Sequence, residues 1–131
     1  GATMMFEKCE KVLTPSSHGS TFGGNPIACA GGLAVLERIT EEGFLSEIGK
    51  KAEYIKNKLE GCDEVVSVSG LGLMIGITLR TKNAADVVRK ALDKGLLLLT
   101  AKEKVRLLPP LTVSYEELDC GLNILMEVLK E

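Results

Sequence analysis

The chain has 131 residues, 45% hydrophobic and 26% charged, with sixteen Lys and Arg against eighteen Asp and Glu for a net charge of −2. That hydrophobic fraction excludes intrinsic disorder, and the length suits one sizeable core rather than two. The acidic balance, the lack of Trp and an aromatic content of 4% argue against a nucleic-acid partner. The longest apolar run, residues 95–99, is far too short to cross a bilayer, so no membrane partner is expected. No basic and apolar leader opens the chain. Cys9, Cys29, Cys62 and Cys120 are widely spaced, form no CxxC pair and are accompanied by a single His. No metal site is therefore expected, and the four read as reduced, buried thiols of a cytoplasmic protein.

In chain order, Met5, Cys9, Val12 and Leu13 fall at helical spacing among charged residues and predict a short amphipathic helix or helical turn over 4–13. Thr14-Pro15-Ser16-Ser17 stops it. Asn25-Pro26 opens a helix running to about residue 41, with Asn as N-cap and Pro in the first turn. Its apolar stripe contains Gly31 and Gly32, each costing about 1 kcal/mol relative to Ala. A second backbone passing close by would explain such a pair. Gly43 is the expected terminator. A second helix over 44–60 buries Leu45, Ile48, Ala52, Ile55 and Leu59, and Gly61 ends it.

Residues 65–69 and 73–79 read as strands, joined through Gly70-Leu71-Gly72 as a turn or as two points of close approach. Asn83 caps a third helix over 84–94 that ends at Gly95. Residues 96–99 predict a short buried strand. Residues 105–108 predict another, closed by Pro109-Pro110. Ser114 with Glu117 forms a capping box for a last helix over 115–130. From residue 44 the order is α-β-β-α-β-β-α, which predicts an α+β layer with a sheet of about four strands covered by helices. Residues 1–43 read as an arm, a turn-rich loop leading into a long helix.

The stretch His18-Gly19-Ser20-Thr21-Phe22-Gly23-Gly24-Asn25-Pro26 carries the most chemistry. Small residues let backbone N–H groups reach outward, Ser20 and Thr21 add hydroxyl donors, and the helix dipole favours an anion, most naturally a phosphate. On composition alone an ordinary structural connection remains open. His18 beside the loop reads as a structural hydrogen-bonder rather than a general base.

The string itself is more specific than its composition. Followed by Ile27-Ala28-Cys29-Ala30 and Leu33-Ala34-Val35-Leu36-Glu37, it closely resembles the class III (subgroup II) aminotransferases, enzymes that use pyridoxal 5'-phosphate. Gly1-Ala2 resembles the end of that family's GGGxPIGA segment. Gly70-Leu71-Gly72-Leu73-Met74-Ile75-Gly76 resembles its RGxGLMxGI segment. Gly95-Leu96-Leu97 with Val105-Arg106-Leu107-Leu108-Pro109-Pro110-Leu111 resembles its C-terminal signature. Three departures are visible. Ser16 and Ser17 follow Pro15 where the family often has Gly, Ser69 stands in place of a basic residue, and the Schiff-base lysine is expected upstream of Gly1.

The resemblance implies the C-terminal part of a fold type I transferase of α/β class. Residues 1–43 would be the tail of the large cofactor-binding domain with a connecting helix, and 44–131 the small α+β domain. It further implies that Thr21 hydrogen-bonds the cofactor phosphate of the neighbouring subunit in a homodimer. Ser20 would face that phosphate or the substrate, and Arg106 would bind a substrate carboxylate through its planar fork. Without the resemblance Arg106 reads as a surface or ion-paired strand residue. No catalytic residue is expected within the chain. Lys8 and Lys11 read as solvated charges beside Glu7 and Glu10, whereas a Schiff-base lysine needs burial. The implied reaction moves the amino group of N-acetylornithine, in arginine biosynthesis, or of a related ω-amine such as ornithine, 4-aminobutyrate or succinylornithine, to 2-oxoglutarate. This chain alone is expected to be inactive. A free-standing, non-catalytic domain that binds an anion or dimerises is the alternative from a different class.

Overall fold

A computed structural model describes residues 3–131. Gly1-Ala2, which carries one of the family likenesses, lies outside the described residues. The chain divides into two compact units, one ending at Phe44 and the other spanning Leu45–Glu131.

In the first unit, the helix expected over 4–13 contracts to one 3-10 turn, Glu7–Cys9, with no buried residue. Three residues make too few hydrogen bonds to offset nucleation, and no core supports the Met5 and Val12 side chains. Helix α1 spans Pro26–Ile39 with Asn25 as N-cap, whose side-chain oxygen accepts from the Ala28 N–H at 3.0 Å. Thr40 ends it by donating its hydroxyl back to the Leu36 carbonyl at 2.8 Å, and Gly43 follows at φ +82°. No residue of α1 is buried. A Cβ built on Gly31 or Gly32 meets nothing within 4 Å, so no described backbone approaches the pair.

The second unit has the α+β order read from the sequence: α2 (Phe44–Glu60, beginning at the unit boundary), β1 (Val65–Leu71), β2 (Met74–Leu79), α3 (Ala84–Asp93), β3 (Leu99–Ala101), β4 (Lys104–Leu107) and α4 (Tyr115–Lys130). The sheet is antiparallel throughout, in the order β1-β2-β4-β3. Two hairpins are thus joined through β2 and β4, with Gly76 opposite Arg106 and Ser69 opposite Gly76.

One sheet face and the helices share the core. Ile75, Ile77, Val105 and Leu107 alternate inward along the central strands and meet Ile55 and Leu59 of α2, Val87 of α3, and Leu122, Leu125 and Val128 of α4. The α4 capping box forms in both directions: Glu117 N–H donates to Ser114 Oγ at 3.1 Å, and Ser114 N–H donates to the Glu117 carboxylate at 2.8 Å. Such a cap stabilises a helix by about 1 kcal/mol. Between α2 and α4, Tyr54 donates to Asp119 at 2.6 Å and Tyr115 donates to Glu47 at 2.8 Å, with the two rings in an edge contact at 5.2 Å.

Three expectations need correction. The buried strand predicted over 96–99 begins only at Leu99, because Leu97 and Leu99 point outward while Leu98 alone is buried. Leu45, at the first turn of α2, is exposed and takes no part in the core. Of the four cysteines, all free thiols, only Cys62 is buried; Cys9 is half-exposed, and Cys29 and Cys120 are exposed. Cys29 sits on the uncovered helix α1, and Cys120 points away from the core-facing stripe of α4.

Candidate functional site

In the first unit, residues 20–25 form a tight bend. Gly23 N–H donates to the Ser20 carbonyl at 3.3 Å, and Asn25 donates through its side chain to the Phe22 carbonyl at 2.8 Å. A Cβ on Gly23 would lie 2.9 Å from Ser20 Cβ, so only glycine lets the chain fold back over Ser20. Gly24, at φ +71°, supplies the left-handed residue that turns the chain into α1. Ser20 and Thr21 sit side by side on this bend, both exposed, and His18 is exposed beside them.

The helix terminus adds less to an anion site than its dipole implies. Pro26 has no N–H, and the Ala28 N–H already serves the Asn25 cap. The donors on offer are therefore the Ser20 and Thr21 hydroxyls and the amides of the bend. That set fits a phosphate, which accepts several short hydrogen bonds from small, exposed donors.

In the second unit, Arg106 stands on β4 between buried Val105 and Leu107, so its side chain lies on the sheet face opposite the core. Its Nη2 reaches Met74 Sδ at 3.6 Å. It makes no ion pair among the described residues. Among the described residues its guanidinium fork is therefore open to a carboxylate, as is that of any unpaired surface arginine. Lys104 and Ser69 occupy the same face. Lys104 was passed over in the sequence, although two-residue spacing from Arg106 on a strand is enough to place it beside Arg106; Ser69 was noted only as a departure from the family pattern. The loop 20–25 and the Arg106 face belong to different units, and each holds its own donors.

The carboxylates whose titration is shifted all have structural partners. Backbone N–H groups of Lys82 and Thr81 hold Glu64 below the ordinary carboxylate range, donating at 2.7 and 2.8 Å. The Tyr54 hydroxyl, then Lys58, lowers Asp119, and the Tyr115 hydroxyl lowers Glu47. Both tyrosines are raised in return. An apolar cleft of about 300 Å³ lies along Leu96, Leu97, Leu108, Pro109 and Leu122. Among the described residues no cluster of His, Cys, Asp and Glu could hold a metal ion, and no helix is long and apolar enough to cross a membrane.

The chain belongs to the class-III aminotransferase family, whose model matches residues 1–129. Among individual proteins, it is 44% identical over 132 residues to the acetylornithine aminotransferase of Haemophilus ducreyi, covering 100% of this chain and 33% of that protein. It is 48% identical over 122 residues to the acetylornithine aminotransferase of Listeria monocytogenes, covering 88% and 31%.

Solved structures agree on the fold. The N-acetylornithine aminotransferase of Stenotrophomonas maltophilia superposes with a TM-score of 0.75 at 27% identity, covering 82% of this chain and 32% of that one. The ornithine δ-aminotransferase of Plasmodium falciparum gives 0.73 at 32% identity, covering 91% and 33%. The chain thus spans about a third of the length of the relatives it matches.

Proposed function

We propose that this chain is the C-terminal part of a pyridoxal-phosphate-dependent aminotransferase that moves the amino group of N-acetylornithine to 2-oxoglutarate, a step of arginine biosynthesis. Residues 1–43 are the tail of the large cofactor-binding domain with a connecting helix, and 44–131 are the small domain. The observation that carries this reading is a match to acetylornithine aminotransferases at 44% identity over the full chain, both units included. Likeness to ornithine δ-aminotransferase, at TM-score 0.73, supports ornithine as the second candidate donor.

Within this reading Thr21 donates its hydroxyl to the cofactor phosphate, reaching across a homodimer to the neighbouring subunit. Ser20 lines the same site. Arg106 receives a substrate carboxylate in two parallel charge-assisted hydrogen bonds. Pyridoxal phosphate, when bound, supplies the electron sink that transamination requires. This chain's residues hold its phosphate and orient the substrate; the Schiff-base lysine lies outside the chain. Lys8 and Lys11 are exposed and unsuited to that role. Four free thiols support a cytoplasmic location.

The test is titration of the full-length apoprotein with pyridoxal phosphate. Thr21→Val is expected to weaken binding about tenfold, the loss of one hydrogen bond to a charged group. Unchanged affinity would remove Thr21 from the site. The donor is settled by comparing kcat/KM for N-acetylornithine and ornithine in the same protein.

A further inference from the structure

On the open face of the sheet a sulfur atom is the partner of the arginine. Arg106 is opposite Gly76, and Met74, two residues before Gly76 on β2, shares its face. The side chain of Met74 brings Sδ to 3.6 Å from Arg106 Nη2. A thioether is a weak acceptor, and no carboxylate pairs with Arg106 among the described residues. The other cation on this face, Lys104, is engaged elsewhere, donating to Ser69 Oγ at 3.1 Å. Met74 is 53% exposed, whereas Ile75 beside it is buried and keeps the strand from rotating the sulfur inward. A small oxidant can therefore reach the one atom on this face that the guanidinium already touches.

We propose that Met74 is a site of reversible oxidation by a small peroxide, and that its sulfoxide closes Arg106 to carboxylates. The proposal rests on the reading that Arg106 holds a substrate carboxylate. A lone pair of Sδ attacks the near oxygen of the peroxide. The S–O bond forms as the O–O bond breaks, and the departing oxygen takes the proton of the transferred hydroxyl and leaves, as water when the oxidant is hydrogen peroxide. Sulfur loses two electrons and the peroxide gains them. The product carries a strongly polar oxygen on the atom that Nη2 already reaches, so the guanidinium exchanges a weak acceptor for a strong one without backbone movement. A carboxylate must then displace that bond before it can form its two parallel hydrogen bonds with the fork. Reduction of the sulfoxide returns the thioether and frees the arginine.

The test uses the full-length cofactor-loaded protein, hydrogen peroxide as oxidant and glutarate as a non-reacting carboxylate probe. Calorimetry reads binding, and peptide mass spectrometry reads oxygen on Met74. Peroxide is expected to oxidise Met74 and to weaken glutarate about fivefold, the worth of one hydrogen bond. Methionine sulfoxide reductase is expected to restore binding and dithiothreitol is not, which separates Met74 from the four free thiols. In Met74→Leu the same treatment is expected to leave glutarate binding where it was before treatment. Three results overturn the switch: oxidised Met74 with unchanged glutarate affinity, equal weakening by peroxide in Met74→Leu, or Met74 left unmodified at a dose that oxidises free methionine in the same solution. Recovery with dithiothreitol alone overturns it as well. Arg106→Met, measured without peroxide, separates the two claims. If it weakens glutarate while oxidation of Met74 does not, Arg106 keeps its role and the switch falls. If Arg106→Met leaves glutarate unaffected, the Arg106 reading falls and this proposal falls with it.

Discussion

Replacing Gly70 and Gly49 by alanine should shift stability in opposite directions, although both glycines are exposed in the same unit. Gly70 sits near the end of β1 at φ +146°, and a Cβ there would lie 2.0 Å from the Met74 carbonyl oxygen and 3.1 Å from Ile75 Cα. Every atom in the way is backbone, so no side chain can yield. An alanine must both hold a strained left-handed conformation, at about 2 kcal/mol, and push β2 away from the Met74 carbonyl. Pushing β2 away loosens the pairs Gly70 with Ile75 and Leu71 with Met74, at about 1 kcal/mol for each hydrogen bond lost. The combined loss is about 4 kcal/mol, a large share of the 5–15 kcal/mol typical of a domain. Gly49 lies inside α2 with nothing within 4 Å of a Cβ, so Gly49→Ala gains about 1 kcal/mol of helix propensity. In urea, with a slope near 2 kcal/mol/M for a unit of this size, Gly70→Ala should lower the midpoint by about 2 M. Gly49→Ala should raise it by about 0.5 M. A Gly70→Ala midpoint equal to that of the parent would refute the close approach of the two strands at that point.

Leu125 on α4 is fully buried, so Leu125→Ala should cost about 2–5 kcal/mol in the same assay; a loss below about 1 kcal/mol would place it outside the core. Stability should also fall at both ends of the pH range. Glu64, Glu47 and Asp119 are held below their ordinary values by the Lys82 and Thr81 amides, the Tyr115 hydroxyl and the Tyr54 hydroxyl respectively. Their contribution is present above the unfolded carboxylate values and is lost as pH falls through the lower folded ones, below about pH 4. Tyr54 and Tyr115 are raised by Asp119 and Glu47. Their contribution is complete below the unfolded phenol value and disappears as pH rises above about 10. Urea midpoints measured from pH 3 to pH 11 check both limbs, and Glu64→Gln should flatten the acid one.

Local chemistry placed most of the elements. Asn25 and Asn83 each accept from an amide of the helix that follows, and Ser114 with Glu117 closes its box. Gly95 takes positive φ just after α3 ends, whereas Gly43, also at positive φ, lies in the turn before α2 because α1 already stops at Thr40. These signals act over a few residues and need no distant partner. Gly70 and Gly72 realised both readings of their segment. Gly70 is a close approach inside a strand, and Gly72, at φ +54°, is the turn.

The misplaced expectations all depended on what lies across from a residue rather than beside it. Met5 and Val12 have helical spacing and no core to bury them. The run 96–99 is apolar throughout, yet only Leu98 is buried, and pairing begins at Leu99. Hydrophobic pattern reports which residues favour burial, but burial requires a facing surface that only long-range packing provides.

The sequence by itself determined the helix caps at Asn25, Asn83 and Ser114, the order of elements from α2 to α4, and the family likeness, because each rests on residues close together in the chain. The tertiary structure decided which strands pair, and therefore which face Arg106 shares. Lys104 is its neighbour through the two-residue period of β4. Gly76, Ser69 and Met74 join them only because β2 pairs between β1 and β4, which brings Ser69 to Lys104 across 35 positions and Met74 to Arg106 across 32.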